Sequence, residues 1–471
     1  MNTPYFFCGI GGSGMLPLAL IVKTQGNEVA GSDRAFDAGR TLRKFEFLEA
    51  RGIKLYPQDG SGIRKSDTQV VVSTAVEDTV PDIVAARRVG APLVKRADLL
   101  AQLFNGATLS IGVAGTSGKS TTTGMIAWIM KEAGRSPTVM NGAVMKNFID
   151  PQTPFASASV GKGDVFVSEI DESDGSIALF KARIAVINNI ALDHKPMEEL
   201  RVLFSGFIAR ADTVVYNRDN EEVRRLVSSL TLERALSYGL DDASAHVRGA
   251  SLNLSAEGTD FVVEARDERQ PLRVSLKVPG RHNVANALAA LTATRAAGIP
   301  LNIAARALGT FTGIRRRLET AGVADGVTVI DDFAHNPDKI AATLTTLHAS
   351  NGRLLVMFQP HGYGPLRLMK NELIDVFAHD LAKEDVLLMP EPVYFGGTVS
   401  REVSSADIAN GVRSGGRQAW AFPDRHACGM KLLEIAHSGD KIVVMGARDD
   451  TLSEFATGLV ESLNSRKTTE K

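Results

Sequence analysis

The chain has 471 residues, too many for one ordinary hydrophobic core, and length alone points to about three domains. Its 53 Lys and Arg against 54 Asp and Glu leave a net charge of −1, so no field draws it to nucleic acid or to an anionic membrane. No apolar run is long enough to span a bilayer, and two cysteines far apart, Cys8 and Cys428, exclude a disulfide scaffold and fit a reducing, cytoplasmic setting.

The first residues lack a basic region and read as a strand at 5–8, not as a signal peptide. Gly9-Ile10-Gly11-Gly12-Ser13-Gly14 follows, then a helical pattern over 15–24 and a second strand at 28–31 that ends at Ser32-Asp33. Glycines at 9, 11 and 14 between strand and helix make a dinucleotide-type fingerprint, and Asp33 stands where an acid would meet a ribose hydroxyl. The same glycines also suit a tight turn that packs helix on sheet. Strands at 70–73 and 92–95, with a helix at 81–89, continue the alternation, which argues a parallel, doubly wound sheet over 1–105.

The segment 106–318 opens on Leu109-Ser110-Ile111-Gly112-Val113-Ala114, then Gly115-Thr116-Ser117-Gly118-Lys119-Ser120, then a helical pattern from Thr121. Glycines let backbone N–H groups converge, the lysine adds a cation, the serine hydroxyl can ligate magnesium, and the helix N-terminus adds positive potential. A full Walker spacing would place glycine at 113, where this chain has Val113, so the bare pattern also fits a glycine-rich turn with an exposed lysine. Strands at 164–170 and 184–188 follow. Glu169 closes the first, in Ser168-Glu169-Ile170-Asp171-Glu172-Ser173-Asp174, where crowded carboxylates repel one another unless a cation is present. The second leads into Asn188-Asn189-Ile190-Ala191-Leu192-Asp193-His194. Strand ends beside a phosphate loop converge on one crevice, so Glu169 and His194 could hold Mg²⁺ against ATP oxygens; each alone reads equally as a solvated loop or a surface histidine.

A polar, β-rich insertion is expected near 245–278, then an alanine-rich helix over 280–297. Asn283 and Asn286 share a face of that helix and could read an adenine edge or cap it. Phe311-Thr312-Gly313-Ile314-Arg315-Arg316-Arg317 is a basic run at a domain junction, either a solvated face or a clamp for a transferred phosphoryl group. From 319 to 471 a second α/β pattern carries strands at 327–331, 353–358, 386–389 and 441–445 and helices at 337–347 and 452–462. Asp331-Asp332-Phe333-Ala334-His335-Asn336-Pro337 ends a strand and opens a helix, and the polar tail from 466 is expected to be mobile.

In this order the motifs are similar to those of the Mur ligase family, ATP-dependent amide-forming enzymes of peptidoglycan synthesis. The resemblance spans essentially the whole chain. It rests on Gly9 to Met15 with Gly31-Ser32-Asp33, Gly115 to Ser120, Asp171-Glu172-Ser173-Asp174, Asp193-His194, Gly280 to Asn286, Asp332 to Pro337 and Phe358-Gln359-Pro360-His361. It implies an α/β chain of three domains. A Rossmann-like domain at 1–105 would bind the UDP sugar, through Gly9, Gly11, Gly12, Ser13, Gly14, Ser32 and Asp33. A central P-loop ATPase-like domain with a parallel sheet, 106–318, would bind ATP. A C-terminal Rossmann-like domain, 319–471, would bind the incoming amino acid or short peptide.

The resemblance further implies that Gly115, Thr116, Ser117, Gly118, Lys119, Ser120 and Thr121 bind ATP, with Lys119 on the β- and γ-phosphates. Ser120 with Glu169 would hold one Mg²⁺, and Glu169 with His194 a second. Asn283 and Asn286 would approach adenine, Asp332 the ribose and Arg317 the γ-phosphate, and His335 would lie near the nucleotide when the domains close. The implied catalytic set is Lys119, Glu169, His194, Arg317 and His335. ATP would convert the carboxylate of UDP-N-acetylmuramate into an acyl phosphate, an amine would attack, and phosphate would leave. L-alanine is the leading amine, and a murein tripeptide of cell-wall recycling the alternative.

Several positions depart from the pattern of the members that add alanine: Ser117 replaces a usual His, Ser120 a Thr, Asn336 a second histidine and Gly362 an expected arginine. Arg448-Asp449-Asp450 is also atypical. A nicotinamide oxidoreductase would use only the Gly9 motif and leave the Lys119 loop unexplained. A non-catalytic nucleotide-binding regulator would not need Lys119, Ser120, Glu169, His194 and Arg317 together. A cytoplasmic monomer or homodimer, without nucleic-acid or membrane partner, completes the expectation.

Overall fold

The computed structural model describes every residue except 1–2, 74–75, 192–194, 256, 393–400, 448, 450 and 470–471, and describes 466–469 by backbone alone. His194, expected to bind metal, therefore lies outside the described residues, as do Arg448 and Asp450. The chain divides into two compact units: Met1–Leu252 with Phe261–Leu276 and Asn283–Thr312, and Asn253–Asp260 with Lys277–His282 and Gly313–Lys471. The described residues form three sheets, mostly parallel, in an α/β arrangement.

The first sheet holds β1 (Pro4–Cys8), β2 (Glu28–Ser32), β3 (Lys54–Tyr56), β4 (Gln69–Val72) and β5 (Leu93–Lys95), ordered β3-β2-β1-β4-β5 with every pair parallel. The chain winds outward from β1 to β3, then resumes on the other side at β4. The loop after β1 therefore sits at the reversal of strand order, where such sheets leave a crevice. Phe7, Val29 and Val71 pack on one face and Phe6 and Val70 on the other, so both faces are buried, as parallel sheets require.

The second sheet has ten strands: β6 (Leu109–Ala114), β7 (Thr138–Met140), β8 (Ala158–Ser159), β9 (Val165–Glu169), β10 (Ile184–Ile187), β11 (Thr213–Asn217), β12 (Ala235–Gly239), β13 (Val247–Leu254), β14 (Thr259–Ala265) and β15 (Leu272–Leu276). Their order is β15-β14-β13-β12-β11-β10-β6-β9-β7-β8. β6 lies between β9 and β10, both parallel to it. The segment expected as an insertion near 245–278 is instead the far wing of this sheet, since Val247 pairs in parallel with Tyr238. It reads as polar because only one face is covered: Phe261 and Val263 are buried while Asp260 and Glu264 are exposed. One hydrophobic cluster spans the first two sheets, with Phe104 edge-on to Phe166 and Phe180 at centroid distances of 5.8 and 5.5 Å.

The second unit is built on β16 (Glu319–Ala324), β17 (Val327–Asp332), β18 (Leu354–Gln359), β19 (Val386–Pro390), β20 (Gln418–Phe422) and β21 (Lys441–Gly446), ordered β16-β17-β21-β18-β19-β20. β16 and β17 form an antiparallel hairpin, and the remaining pairs are parallel. Alternate residues enter two cores: Leu354, Val356, Phe358, Val443 and Met445 on one face, Leu355, Met357, Ile442 and Val444 on the other. The last helix, Thr451–Thr469, runs through most of the segment expected to be a mobile tail.

Candidate active site

The phosphate loop starts where β6 ends. Val113 faces Glu169 of β9 on one side and Val186 of β10 on the other and is fully buried, so the position of the missing Walker glycine is a strand residue. The turn begins at Gly115, with φ +145, and closes at Gly118, with φ +79. A side chain at Gly118 would meet Asn286 Oδ1 at 2.4 Å. Asn189, just past β10, fixes the loop from the far side. Its Oδ1 accepts from Thr116 Oγ1 at 2.9 Å and Ser117 N–H at 2.8 Å, and its Nδ2 donates to Ser117 O at 3.2 Å. The helix Lys119–Glu132 follows at once, with Ser120 and Thr121 buried in its first turn.

Lys119 Nζ donates to Gly115 O at 2.7 Å and to the Glu172 oxygens at 2.9 and 3.2 Å. Burial pulls its pKa down, but Glu172, Glu169 and Asp171 more than offset this and hold the ammonium above its ordinary value. On Glu172 burial outweighs the attraction of Lys119, and its carboxyl lies above the usual range. Glu169 Oε2 accepts from Ser120 Oγ at 2.8 Å and from Gly142 N–H at 3.0 Å. Asp171 accepts from Ser173 N–H at 3.0 Å, and Asp174 pairs with Arg96 at 3.5 Å. The crowding of acids after β9 therefore does not by itself demand a bound cation, because Lys119, Arg96 and backbone donors relieve it. The Ser120 hydroxyl beside the Glu169 carboxylate is nonetheless a pair of hard oxygen donors that fits Mg²⁺. Among the described residues no group of three His, Cys, Asp or Glu side chains is assembled for a metal.

Behind the loop runs a chain of buried amides and hydroxyls. Tyr238 OH donates to Asn188 Oδ1 at 3.1 Å, Asn188 Nδ2 to Thr122 Oγ1 at 2.9 Å, and Thr122 Oγ1 to Asn286 Oδ1 at 3.2 Å. Asn286 Nδ2 then donates to Asn283 Oδ1 at 3.2 Å. Burial pushes the Tyr238 phenol above its ordinary pKa, which keeps it a donor. The two asparagines singled out in the sequence are thus brought against the phosphate-loop helix.

In the first sheet, Gly9 and Ile10 N–H donate to Ser32 O at 2.8 and 2.9 Å, and Gly11 N–H donates to Asp33 Oδ2 at 2.8 Å. Asp33 Oδ1 also accepts from Ala35 N–H at 2.8 Å, capping the helix Arg34–Asp37. Ser32 is fully buried; its hydroxyl donates to Asp82 Oδ2 at 2.5 Å, and Gly60 N–H donates to Asp82 Oδ1 at 2.9 Å. Ser32 therefore supports the loop from beneath, whereas Gly12 and Ser13 are exposed on it. Arg96 crosses the mouth: a Cβ on Gly14 would touch its side chain from 3.2 Å, and its guanidinium reaches Asp174. Burial pushes the Cys8 thiol up to about 12, so it is no nucleophile.

In the second unit, Asp332 Oδ2 accepts from Leu318 N–H at 2.6 Å, and its Oδ1 from Ala334 N–H at 2.7 Å and Thr343 Oγ1 at 3.2 Å. Burial raises its carboxyl above the usual range. The arginine run splits three ways. Arg315 is exposed; Arg316 is buried, bonded to Asp331 at 3.2 Å and to the carbonyls of Asp449 and Gly446; and Arg317 lies 4.4 Å over the Phe333 ring. The run is thus neither one solvated face nor a clamp of three. His335 is buried against Phe333 and His361, at centroid distances of 5.4 and 5.2 Å. Burial first, then Lys339, His361 and Arg317, pushes its pKa well below the usual value, so the ring is neutral at pH 7.

Sequence reasoning singled out Lys119, Ser120 and Glu169 but gave no individual role to Glu172 and Gly142, which bond Lys119 and Glu169, or to Asn189, Asn188 and Tyr238, which brace the loop and its helix. Asn188 and Asn189 carried a signal, paired amides directly after an apolar strand. Tyr238 and Gly142 carried none, since their relevance comes from strands adjacent only in space.

Three family descriptions match in succession: "Mur ligase family, catalytic domain" over residues 4–108, "Mur ligase middle domain" over 113–294, and "Mur ligase, glutamate ligase domain" over 316–448. The chain is 35% identical over 469 residues to the UDP-N-acetylmuramate–L-alanine ligase of Jannaschia sp. (strain CCS1), covering 97% of this chain and 95% of that protein. It is 35% identical over 468 residues to the same-named ligase of Streptomyces avermitilis, covering 96% of each. Among solved structures, the UDP-N-acetylmuramate-alanine ligase of Thermotoga maritima superposes with a TM-score of 0.76 at 26% identity, over 99% of this chain and 100% of that one. A murein peptide ligase of Psychrobacter arcticus shares the fold, with a TM-score of 0.73 at 23% identity over 98% of this chain and 99% of that one. Similarity at this level over nearly the full length, on a fold that sets Lys119, Ser120 and Glu169 at the ends of neighbouring strands, means that the chain belongs to the Mur ligase family.

Proposed function

We propose that the chain is an ATP-dependent carboxylate–amine ligase that joins L-alanine to the carboxylate of UDP-N-acetylmuramate in the cytoplasmic stage of peptidoglycan synthesis. The observation that carries the reading is the meeting of the phosphate-loop Ser120 with Glu169 at 2.8 Å, one residue from Lys119. ATP would supply the phosphoryl group that turns an unreactive carboxylate into an acyl phosphate, which the amine then attacks. Lys119, held protonated by its acidic neighbours, neutralises charge on the transferred group, and the Asn189 clamp holds the loop backbone at Thr116 and Ser117 in place. Ser120 and Glu169, with His194, would hold Mg²⁺, which supplies positive charge on the phosphate oxygens. The exposed Gly12 and Ser13 of the first loop would take the UDP sugar. The division into 1–105, 106–318 and 319–471 belongs to the same reading, with the amine assigned to the last segment. No helix among the described residues is long and apolar enough to cross a membrane, which suits a cytoplasmic role.

A second amine, a murein tripeptide, is kept open by Gly362. Its backbone, at φ +134 with only Pro365 near a built Cβ, would strain any other residue, so the arginine expected there has no counterpart. The test is phosphate release from Mg-ATP with UDP-N-acetylmuramate across amino acids and short peptides. Release with L-alanine supports the reading. Release with tripeptide alone moves the chain to recycling, and silence with every amine overturns the ligase assignment.

A further inference from the structure

Two residues just beyond β7 grip the Ser120–Glu169 pair, one each. Asn141 is 1% exposed; its Nδ2 donates to Ser120 O at 3.0 Å and its own N–H to Ser157 O at 2.9 Å. Gly142 N–H donates to the Glu169 oxygen that also takes the Ser120 hydroxyl, and a Cβ at 142 would meet that oxygen at 2.8 Å. The bond to Ser120 O fixes which way the Asn141 amide faces, because the flipped amide would set two carbonyl oxygens against each other. Asn141 Oδ1 is then a buried acceptor that no donor among the described residues reaches. Such an atom is uncommon and disfavours the state that contains it, so it calls for a donor in some other state of the protein.

We propose that Asn141 is a positioning residue for the divalent cation of the reaction. Its Oδ1 accepts a hydrogen bond from a water in the shell of the cation held by Ser120 and Glu169, while its Nδ2 keeps the Ser120 turn in register. This rests on the magnesium assignment made above. The chemistry suits the place: Mg²⁺ sheds water reluctantly and keeps several, and the groups that accept from those waters orient the shell. The competing account is a structural water shared with Thr123 Oγ1, which also has no hydrogen-bond partner among the described residues and lies one turn further along the helix.

The test is Mn²⁺ binding by electron paramagnetic resonance, on the full chain with a non-hydrolysable ATP analogue, alongside analogue binding in EDTA. Asn141→Leu and Asn141→Ala are expected to weaken Mn²⁺ about tenfold, the low end for loss of an outer-shell partner, with metal-free analogue binding within about twofold. Asn141→Gln, which keeps both an acceptor and a donor and adds no charge, should return Mn²⁺ affinity to within about threefold of wild type. If Leu does not fold, Ala decides. Unchanged Mn²⁺ affinity in the variants, or an equal loss in Thr123→Val, overturns the proposal. Absence of Mn²⁺ binding in the wild type overturns the magnesium assignment instead.

Discussion

Glu172→Gln removes the charge that Lys119 faces while keeping its shape and an acceptor oxygen. The side chains are 14% exposed for Lys119 and 4% for Glu172, so the pair is a buried one. Deleting one partner of such a pair costs about 3–5 kcal/mol, chiefly because the other charge is left uncompensated. Here the ammonium keeps Glu169 and Asp171 nearby, and the burial that raises the Glu172 carboxyl no longer opposes a charge. Both effects reduce the loss, to about 2 kcal/mol. Calorimetry should show a fall of roughly 3 °C in Tm for the unit that holds the pair. Binding should move the other way. The lysine's three protons go to Gly115 O and the two Glu172 oxygens, so a phosphate must displace Glu172 to be met by Lys119. With only a neutral amide oxygen left to compete, titration calorimetry should show an ATP analogue binding about tenfold tighter, a gain of about 1.4 kcal/mol. An unchanged Tm together with equal or weaker nucleotide binding would refute the argument that Glu172 restrains Lys119.

Lys119→Ala should lower turnover by about 10³-fold or more while UDP-sugar affinity stays as it was, read by phosphate release and calorimetry; loss of both would mean that the domain division is wrong. Asn189→Ala frees the phosphate loop from its side-chain clamp and should cost about 2–3 kcal/mol and raise the KM for ATP, with an unshifted denaturation midpoint and an unchanged KM as the contrary result. For His335, the folded pKa lies below the unfolded value of about 6.5, so the unfolded chain binds more protons in that window. Its contribution to stability is full above about pH 6.5 and is lost as pH falls through the folded pKa. His335→Phe should flatten that part of a Tm-against-pH series, and an unaltered slope would count against a neutral, buried ring.

Local chemistry made much of this protein legible from sequence. The glycine turns after β1 and β6 could be placed because glycine, lysine and serine at fixed offsets between a strand and a helix have few other structural uses. Strands such as β10 and β18 were readable because parallel strands buried on both faces are continuous apolar runs. The wing β13–β15 was read as an insertion because alternation with one open face looks polar, and nothing in it names the neighbour that β12 provides. Likewise the arginine run announces charge, but only folding decides that Arg316 goes inward to Asp331 while Arg317 stacks on Phe333.

Sequence by itself thus determined the residue types of the site, Lys119, Ser120 and Glu169, because their chemistry is carried within short motifs. The tertiary structure alone decided their partners. Glu172 on Lys119, Asn189 on the loop, and Asn141 with Gly142 on Ser120 and Glu169 come from the ends of β9, β10 and β7, which the order of the sheet, and no spacing along the chain, brings to the end of β6.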